Sequence, residues 1–157
     1  MSERFKMTEL EPIMHEVLLS GGEFVMKTHG TSMMPLLSDG NDGVVLVKPK
    51  GKCKKNDVVL YKRPTGQYVM HRVVAVKNGK YVMRGDSQIV NEYGVTDKMI
   101  TAVMRAFFKN GERVETDSSS YRKYVRKLPL VYVLRRMKHF LKHIVGKIYK
   151  KIKVVLT

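Results

Sequence analysis

Two Asn-Gly dipeptides constrain the fold of this 157-residue chain more than any other feature of its sequence. Asn78-Gly79 separates two runs that are rich in apolar and β-branched residues, and Asn110-Gly111 follows the run MITAVMRAFF and precedes ERVE. A two-residue type I′ turn needs positive φ at both of its central positions, and Asn followed by Gly meets that need. We therefore predict two β-hairpins and a domain that is built largely from them.

The rest of the first 116 residues agrees with a strand-rich domain. The short runs 43–49 and 57–63 are β-branched and bounded by Gly, Pro, Asn and Asp, as strands commonly are. Residues 8–19 predict a short amphipathic helix with Thr8 as its cap and Glu11 completing a capping box. Because strands and helices do not alternate, the pattern predicts a mostly β fold rather than a parallel α/β sheet.

The C-terminal part has a different character. The polar segment 116–120 predicts a boundary between a domain at 1–116 and a tail at 117–157, and Pro129 suits the start of a helix. Apolar residues then recur every three or four positions, as on one face of a helix of roughly 25 residues. These are Leu130, Leu134, Met137, Leu141, Ile144, Ile148, Ile152 and Val155. The fold class expected for the whole chain is mostly β, with a short N-terminal helix and a long C-terminal amphipathic helix.

The positive charge of the chain is concentrated in this tail. The formal net charge is +16, and residues 121–157 contain 12 Lys or Arg and no Asp or Glu. The remaining 18 basic and 14 acidic residues leave residues 1–120 with a net charge of only +4. A basic region of this kind favours a phosphate-bearing partner, which is either nucleic acid or anionic lipid.

Of these partners, an anionic membrane surface is the one we expect for residues 121–157. A basic amphipathic helix can lie in the plane of the headgroups with its apolar face down. One alternative is that the helix packs on the domain and exposes its basic face to water. Nucleic acid is the third-ranked partner, because the apolar residues are spaced too regularly for a tail that only binds phosphates. The sequence shows no secretory signal and no apolar run of about 18 residues, so we expect a cytoplasmic protein that is peripheral at the membrane.

A serine in the segment GTSMMPLL, residues 30–37, raises the question of catalysis. Serine is a poor nucleophile unless a base takes its proton. Among the histidines, His71 lies within the strand-like run YVMHRVVAV, where on its own it would be read as a half-buried strand residue. Asp86 follows the next strand in YVMRGDSQ, and the hairpin at residues 78–79 can return it to the neighbourhood of His71.

Four blocks in this order, GTSMMPLL, NDVVLYKR, VMHRVVAV and MRGDSQ, resemble the superfamily of signal peptidases and repressor-cleaving serine peptidases. The resemblance covers about residues 28–108. It implies the mostly β peptidase domain of that superfamily, with Ser32 as the nucleophile. His71 stands where many members have a lysine base, which is similar to the Ser-His branch of the signal peptidases.

The resemblance also implies roles for other residues. Asp86 matches the Asp that supports the Ser-His pair, and the backbone N–H of Ser32 matches the oxyanion donor. Gly30 replaces a hydroxyl-bearing residue of some members, so a second donor is left open, with Thr31 as one candidate. Met33 and Met34 are candidate substrate-binding residues, although core packing is expected for at least one of them.

The expected function is therefore that of a serine endopeptidase that cleaves a peptide or leader segment through a Ser32–His71 acyl-enzyme mechanism. One alternative is a lapsed peptidase fold that docks on a membrane or a protein, in which Ser32 and His71 would lie beyond hydrogen-bond reach. Another is a nucleic-acid binder that acts through its tail. We expect no cofactor and no metal, and the single Cys53 is expected to be an exposed loop thiol.

Overall fold

The computed structural model describes residues 7–155, leaving out the side chains of residues 8, 146 and 148–155. Its helices are α1 (Met7–Leu19) and α2 (Ser119–Val155), and a 3₁₀ turn covers Asp97–Met99. Its strands are β1 (Phe24–Lys27), β2 (Gly43–Val47), β3 (Val58–Lys62), β4 (Tyr68–Lys77), β5 (Lys80–Arg84), β6 (Glu92–Val95), β7 (Ile100–Lys109) and β8 (Glu112–Glu115). A mostly β chain with one N-terminal and one C-terminal helix is thus confirmed.

The strands form one sheet in which all the pairs are antiparallel. The order is β1-β2-β7-β3-β4-β5-β6, and β8 pairs with β7. Strand β3 lies between β7 and β4, and four of its five residues are buried. It is therefore a central strand, and His71 of β4 lies opposite its residue Val59.

Both predicted hairpins are present. Asn78 and Gly79 connect β4 to β5 with φ values of 49° and 70°, and Asn110 and Gly111 connect β7 to β8 with φ values of 52° and 83°. Positive φ at both central residues is the conformation that a type I′ turn requires.

Helix α1 ends as predicted but begins differently. Gly21 has a φ of 80°, and Gly22 N–H donates to the Val17 carbonyl at 2.9 Å, as in a Schellman motif. The helix already begins at Met7, which puts Thr8 inside the first turn. The Thr8 side chain of the predicted capping box lies outside the described residues; Glu11 accepts two hydrogen bonds of 2.8 Å from Lys62 of β3.

Helix α2 is longer than predicted. It begins at Ser119 and has 37 residues, so Pro129 lies inside the helix instead of starting it. Ser118 supplies the cap, because its hydroxyl accepts from the Tyr121 N–H at 3.2 Å. The segment before it is fixed to the sheet, with Thr116 donating to the Arg105 carbonyl through N–H and hydroxyl at 3.0 and 2.9 Å. The chain divides into two compact units between Arg122 and Lys123, six residues beyond the predicted boundary.

The expectation for Cys53 is wrong, because this thiol is buried in the core. It is 7% exposed and belongs to a cluster of buried side chains that also includes Val59, Tyr61, Val73, Tyr81, Met83 and Val95. Its backbone N–H donates to the hydroxyl of Tyr81 at 3.1 Å. Burial, with smaller contributions from the carboxylates of Asp57 and Asp97, raises the pKa of the thiol to about 11. The thiol is therefore protonated at neutral pH.

Within residues 7–155, neither helix combines the length and the apolar character needed to cross a membrane.

Candidate active site

Ser32 and His71, which are 39 positions apart in the sequence, line the same groove. The groove has a volume of about 720 Å³ and is bordered by β1, by the residues that follow it, and by β3 and β4. Ser32 is half-buried and His71 is 4% exposed. The fold therefore brings the two residues of the predicted pair to one surface.

Ser32 lies in a loop, residues 28–42, that hydrogen bonds fix to the sheet. Lys109, the last residue of β7, donates to the Asp42 carboxylate at 2.7 Å and to the Ser38 hydroxyl at 2.9 Å. Burial raises the pKa of Asp42, but the hydrogen bonds from Lys109 and Ser38 more than offset it and hold this pKa below its ordinary value. A second carboxylate, that of Asp39, accepts from the Gly30 N–H at 2.9 Å.

The Gly85–Ser87 turn that follows β5 holds the backbone of Ser32 directly. The carbonyl oxygen of Ser32 accepts from the N–H of Ser87 at 2.9 Å and from its hydroxyl at 3.0 Å. The same hydroxyl lies 2.8 Å from the Thr31 carbonyl. A Cβ at Gly85 would lie only 2.5 Å from the Ser32 carbonyl oxygen and 3.0 Å from Ser32 Cβ, so only glycine fits there. This turn therefore sets the position of the serine.

Asp86, in the middle of that turn, is completely buried against Arg72. Its two carboxylate oxygens accept from Arg72 Nε at 2.7 Å and from Arg72 Nη2 at 2.6 Å. Arg72 Nη1 also donates to the Asn56 carbonyl and to the Tyr121 hydroxyl, both at 2.8 Å. Asp86 thus anchors the turn whose residue Ser87 holds the Ser32 backbone. Its contribution to the candidate site is to position Ser32.

The imidazole of His71 has a different partner, the hydroxyl of Tyr61. The Tyr61 oxygen lies 3.2 Å from His71 Nδ1 and 2.7 Å from Glu92 Oε2. Arg63 donates to the same Glu92 carboxylate, with Nε at 2.9 Å from Oε1. Hydrogen bonds from Arg63 and Tyr61 hold the pKa of Glu92 below its ordinary value, so this carboxylate is ionised and can only accept.

The direction of these bonds assigns the tautomer of His71. Because Glu92 only accepts, the Tyr61 O–H donates to it, and the Tyr61 oxygen is left to accept from the Nδ1–H of His71. The second nitrogen, Nε2, then carries the lone pair that a general base needs. Burial lowers the pKa of His71, with the Glu92 charge opposing that shift, so the ring is neutral at pH 7.

Sequence reasoning missed Tyr61, Glu92 and Arg63. Val59 lies opposite His71, and Tyr61 opposite Val69, so Tyr61 is the diagonal neighbour of His71 across the β3–β4 pair. That contact follows once the register of the two strands is known. Nothing in the sequence indicated Glu92, which is 31 positions from Tyr61.

Of the other predicted site residues, Met33 lines the groove, whereas Met34 and Thr31 are not among its lining residues. Met33 is buried, whereas the Met34 side chain is 41% exposed. Thr31 is exposed, and its carbonyl accepts from the Met34 N–H. His29 also lines the groove, but its ring is half exposed and lies 3.7 Å from Asp39.

Among the residues that the structure describes, no hydrogen bond joins Ser32 Oγ to the His71 ring. In the same part of the chain, no group of three His, Cys, Asp or Glu side chains is placed to hold a metal ion. The groove thus presents a serine hydroxyl and a neutral imidazole, two groups that can act as nucleophile and base when they come into hydrogen-bond contact.

Comparison of the chain with protein-family models, with curated proteins and with solved structures gives no match.

We expect nitrogen-15 NMR of the histidine side chains to show His71 protonated at Nδ1 and unprotonated at Nε2 at pH 7.5. Tyr61→Phe removes the acceptor for Nδ1–H, so the ring should shift towards a mixture of tautomers. Tyr93→Phe, at a tyrosine that is 65% exposed, should leave the spectrum unchanged. An Nε2-protonated ring in the unmodified protein would contradict the assigned hydrogen bonds.

Gly85→Ala should lower the free energy of unfolding by about 1–3 kcal/mol, because the new methyl group overlaps the Ser32 carbonyl oxygen. Gly43→Ala is the matched control: it lies in β2, and a Cβ there meets ordinary contacts of 3.5 Å or more. Urea unfolding followed by circular dichroism measures both. Equal stability of the two variants would show that the Gly85–Ser87 turn does not constrain Ser32.

Proposed function

We propose that the chain is a serine endopeptidase of the signal-peptidase type, in which Ser32 is the nucleophile and His71 the general base. The observation that carries the proposal is that the two residues line one groove, each with its position fixed by a separate set of hydrogen bonds. The four sequence blocks that resemble the signal-peptidase superfamily also support it. All four belong to the unit that contains the sheet.

The reaction requires His71 Nε2 to take the proton of Ser32 Oγ as that oxygen attacks a peptide carbonyl carbon. The tetrahedral intermediate then collapses to an acyl-enzyme, and the amine leaves with the proton from His71. Water hydrolyses the ester with His71 again as the base. Tyr61 acts through His71, as a positioning residue that keeps the lone pair on Nε2.

The negative oxygen of the intermediate needs hydrogen-bond donors. Within residues 7–155, the N–H of Ser32 donates to no protein acceptor, while the carbonyl of the same residue is held by Ser87. The Ser32 amide is therefore available as an oxyanion donor, next to a carbonyl that the Ser87 hydrogen bonds hold in place.

The shape of the groove suits an extended peptide. Its wall includes all four residues of β1. Among the described strands, β1 pairs only with β2, which leaves the other edge of β1 free for a peptide strand. From the resemblance to the signal-peptidase superfamily, we propose that the preferred substrates have small residues before the cleaved bond.

Among the described residues, no hydrogen bond joins Ser32 Oγ to the His71 ring, and this supports a second candidate, a docking module with a lapsed site. Catalytic hydrogen bonds are often long in ligand-free proteins and tighten in the substrate complex, so the peptidase proposal requires the groove to close on a peptide. A reaction at Ser32 separates the two candidates.

The first test is labelling by a penem ester, a serine-acylating probe, followed by intact mass. We expect one adduct, lost in Ser32→Ala and in His71→Ala. Ser119→Ala, at an exposed serine, and His29→Ala, at a half-exposed histidine of the same groove, are the matched controls and should label normally. A folded protein with no adduct at Ser32 would favour the docking module.

The pH dependence of that labelling tests the base. A general base must be unprotonated, and burial places the pKa of His71 below its ordinary value near 6.5. The rate should therefore be constant from pH 7 to 9 and fall as the pH drops through this lowered pKa. A rate that rises only above pH 8 would point to a lysine as the base.

A further inference from the structure

Helix α2 exposes a continuous apolar stripe that the catalytic proposal does not use. Eight large apolar side chains are between 37% and 64% exposed. These are Leu130, Val133, Leu134, Met137, Phe140, Leu141, Ile144 and Val145. At about 100° per residue they fall within an arc of roughly 140°, and they extend along about 22 Å of the helix. A stripe of this size on a single helix is a binding surface, because water is a poor environment for it.

The opposite side of the same stretch is basic. Arg135, Arg136, Lys138, Lys142 and Lys147 occupy the remaining arc. No acidic residue occurs anywhere in residues 118–157. The helix therefore combines an apolar face with an opposite face on which every Lys, Arg, Asp or Glu is a basic residue.

We infer that α2 docks on an anionic bilayer surface, with the apolar stripe at the level of the upper acyl chains and the basic residues among the headgroups. An in-plane amphipathic helix buries one face in the boundary of the bilayer, while lysines and arginines meet lipid phosphates. An anionic bilayer therefore removes the apolar face of α2 from water and pairs its basic face with phosphates at the same time. Docking goes beyond the proposed peptidase activity and does not depend on it.

Two other kinds of partner would interact favourably with only one face of α2. The same helix of a second copy could cover the stripe, but residues 121–157 of that copy would bring another 12 basic residues and no acidic residue to pair with them. A nucleic acid would neutralise the basic side and leave the stripe in water. Charge complementarity and the apolar area together therefore select anionic lipid.

The test uses the full chain and flotation with vesicles of phosphatidylcholine, alone or with one quarter phosphatidylglycerol. We expect binding at least about tenfold tighter to the anionic vesicles, and weakening as salt screens the headgroups. Leu134→Ser combined with Leu141→Ser should reduce that binding at least tenfold. Val90→Ser removes an apolar side chain that is 72% exposed outside α2, and should have no effect.

Charge and specificity are tested separately. Lys138→Gln with Lys142→Gln should weaken binding to the anionic vesicles, and Ser32→Ala should leave it unchanged. Equal binding to both kinds of vesicle, or none to either, would overturn the inference. It would equally be overturned if Leu134→Ser with Leu141→Ser abolished a dimer in sedimentation equilibrium, or RNA binding, while vesicle binding stayed normal.

Discussion

The buried ion pair between Arg72 and Asp86 is the interaction on which the rest of the structure depends. Arg72 is 1% exposed, and its guanidinium connects β4 to the turn after β5, to the Asn56 carbonyl before β3, and to Tyr121 at the start of α2. Removal of one partner from a buried pair typically costs about 3–5 kcal/mol, because the other charge is left uncompensated. The pair thus fixes the turn that holds Ser32.

Adjacent residues of β4 serve the two halves of the candidate site. Arg72 binds Asp86 and so fixes the turn that holds Ser32. Its neighbour in the strand is His71, whose ring is oriented by Tyr61 and, through it, by Glu92. Successive side chains of a strand point to opposite faces of the sheet, so one dipeptide can take part in both networks. Strand β4 therefore carries residues of both networks, one that holds the turn beside Ser32 and one that orients His71 at the groove.

Local signals in the sequence predicted the fold better than they predicted the site. The turns at Asn78-Gly79 and Asn110-Gly111 depend on two residues each, so the hairpins could be predicted. The start of α2 could not, because Pro129 signals a helix start but is also tolerated within this longer helix. The link from His71 to Tyr61 depends on strand register, and the link to Glu92 depends on the approach of β6, neither of which is encoded locally. The burial of Cys53 among lysines is equally a property of the folded chain.

The central claim is that Ser32 and His71 form one catalytic unit, and a crystal structure of the penem-treated protein tests it most directly. We predict an ester on Ser32 Oγ, with His71 Nε2 within about 3.2 Å of that oxygen and Nδ1 still hydrogen-bonded to the Tyr61 hydroxyl. An adduct on another residue, or an acylated Ser32 whose oxygen remains out of reach of the imidazole, would contradict it.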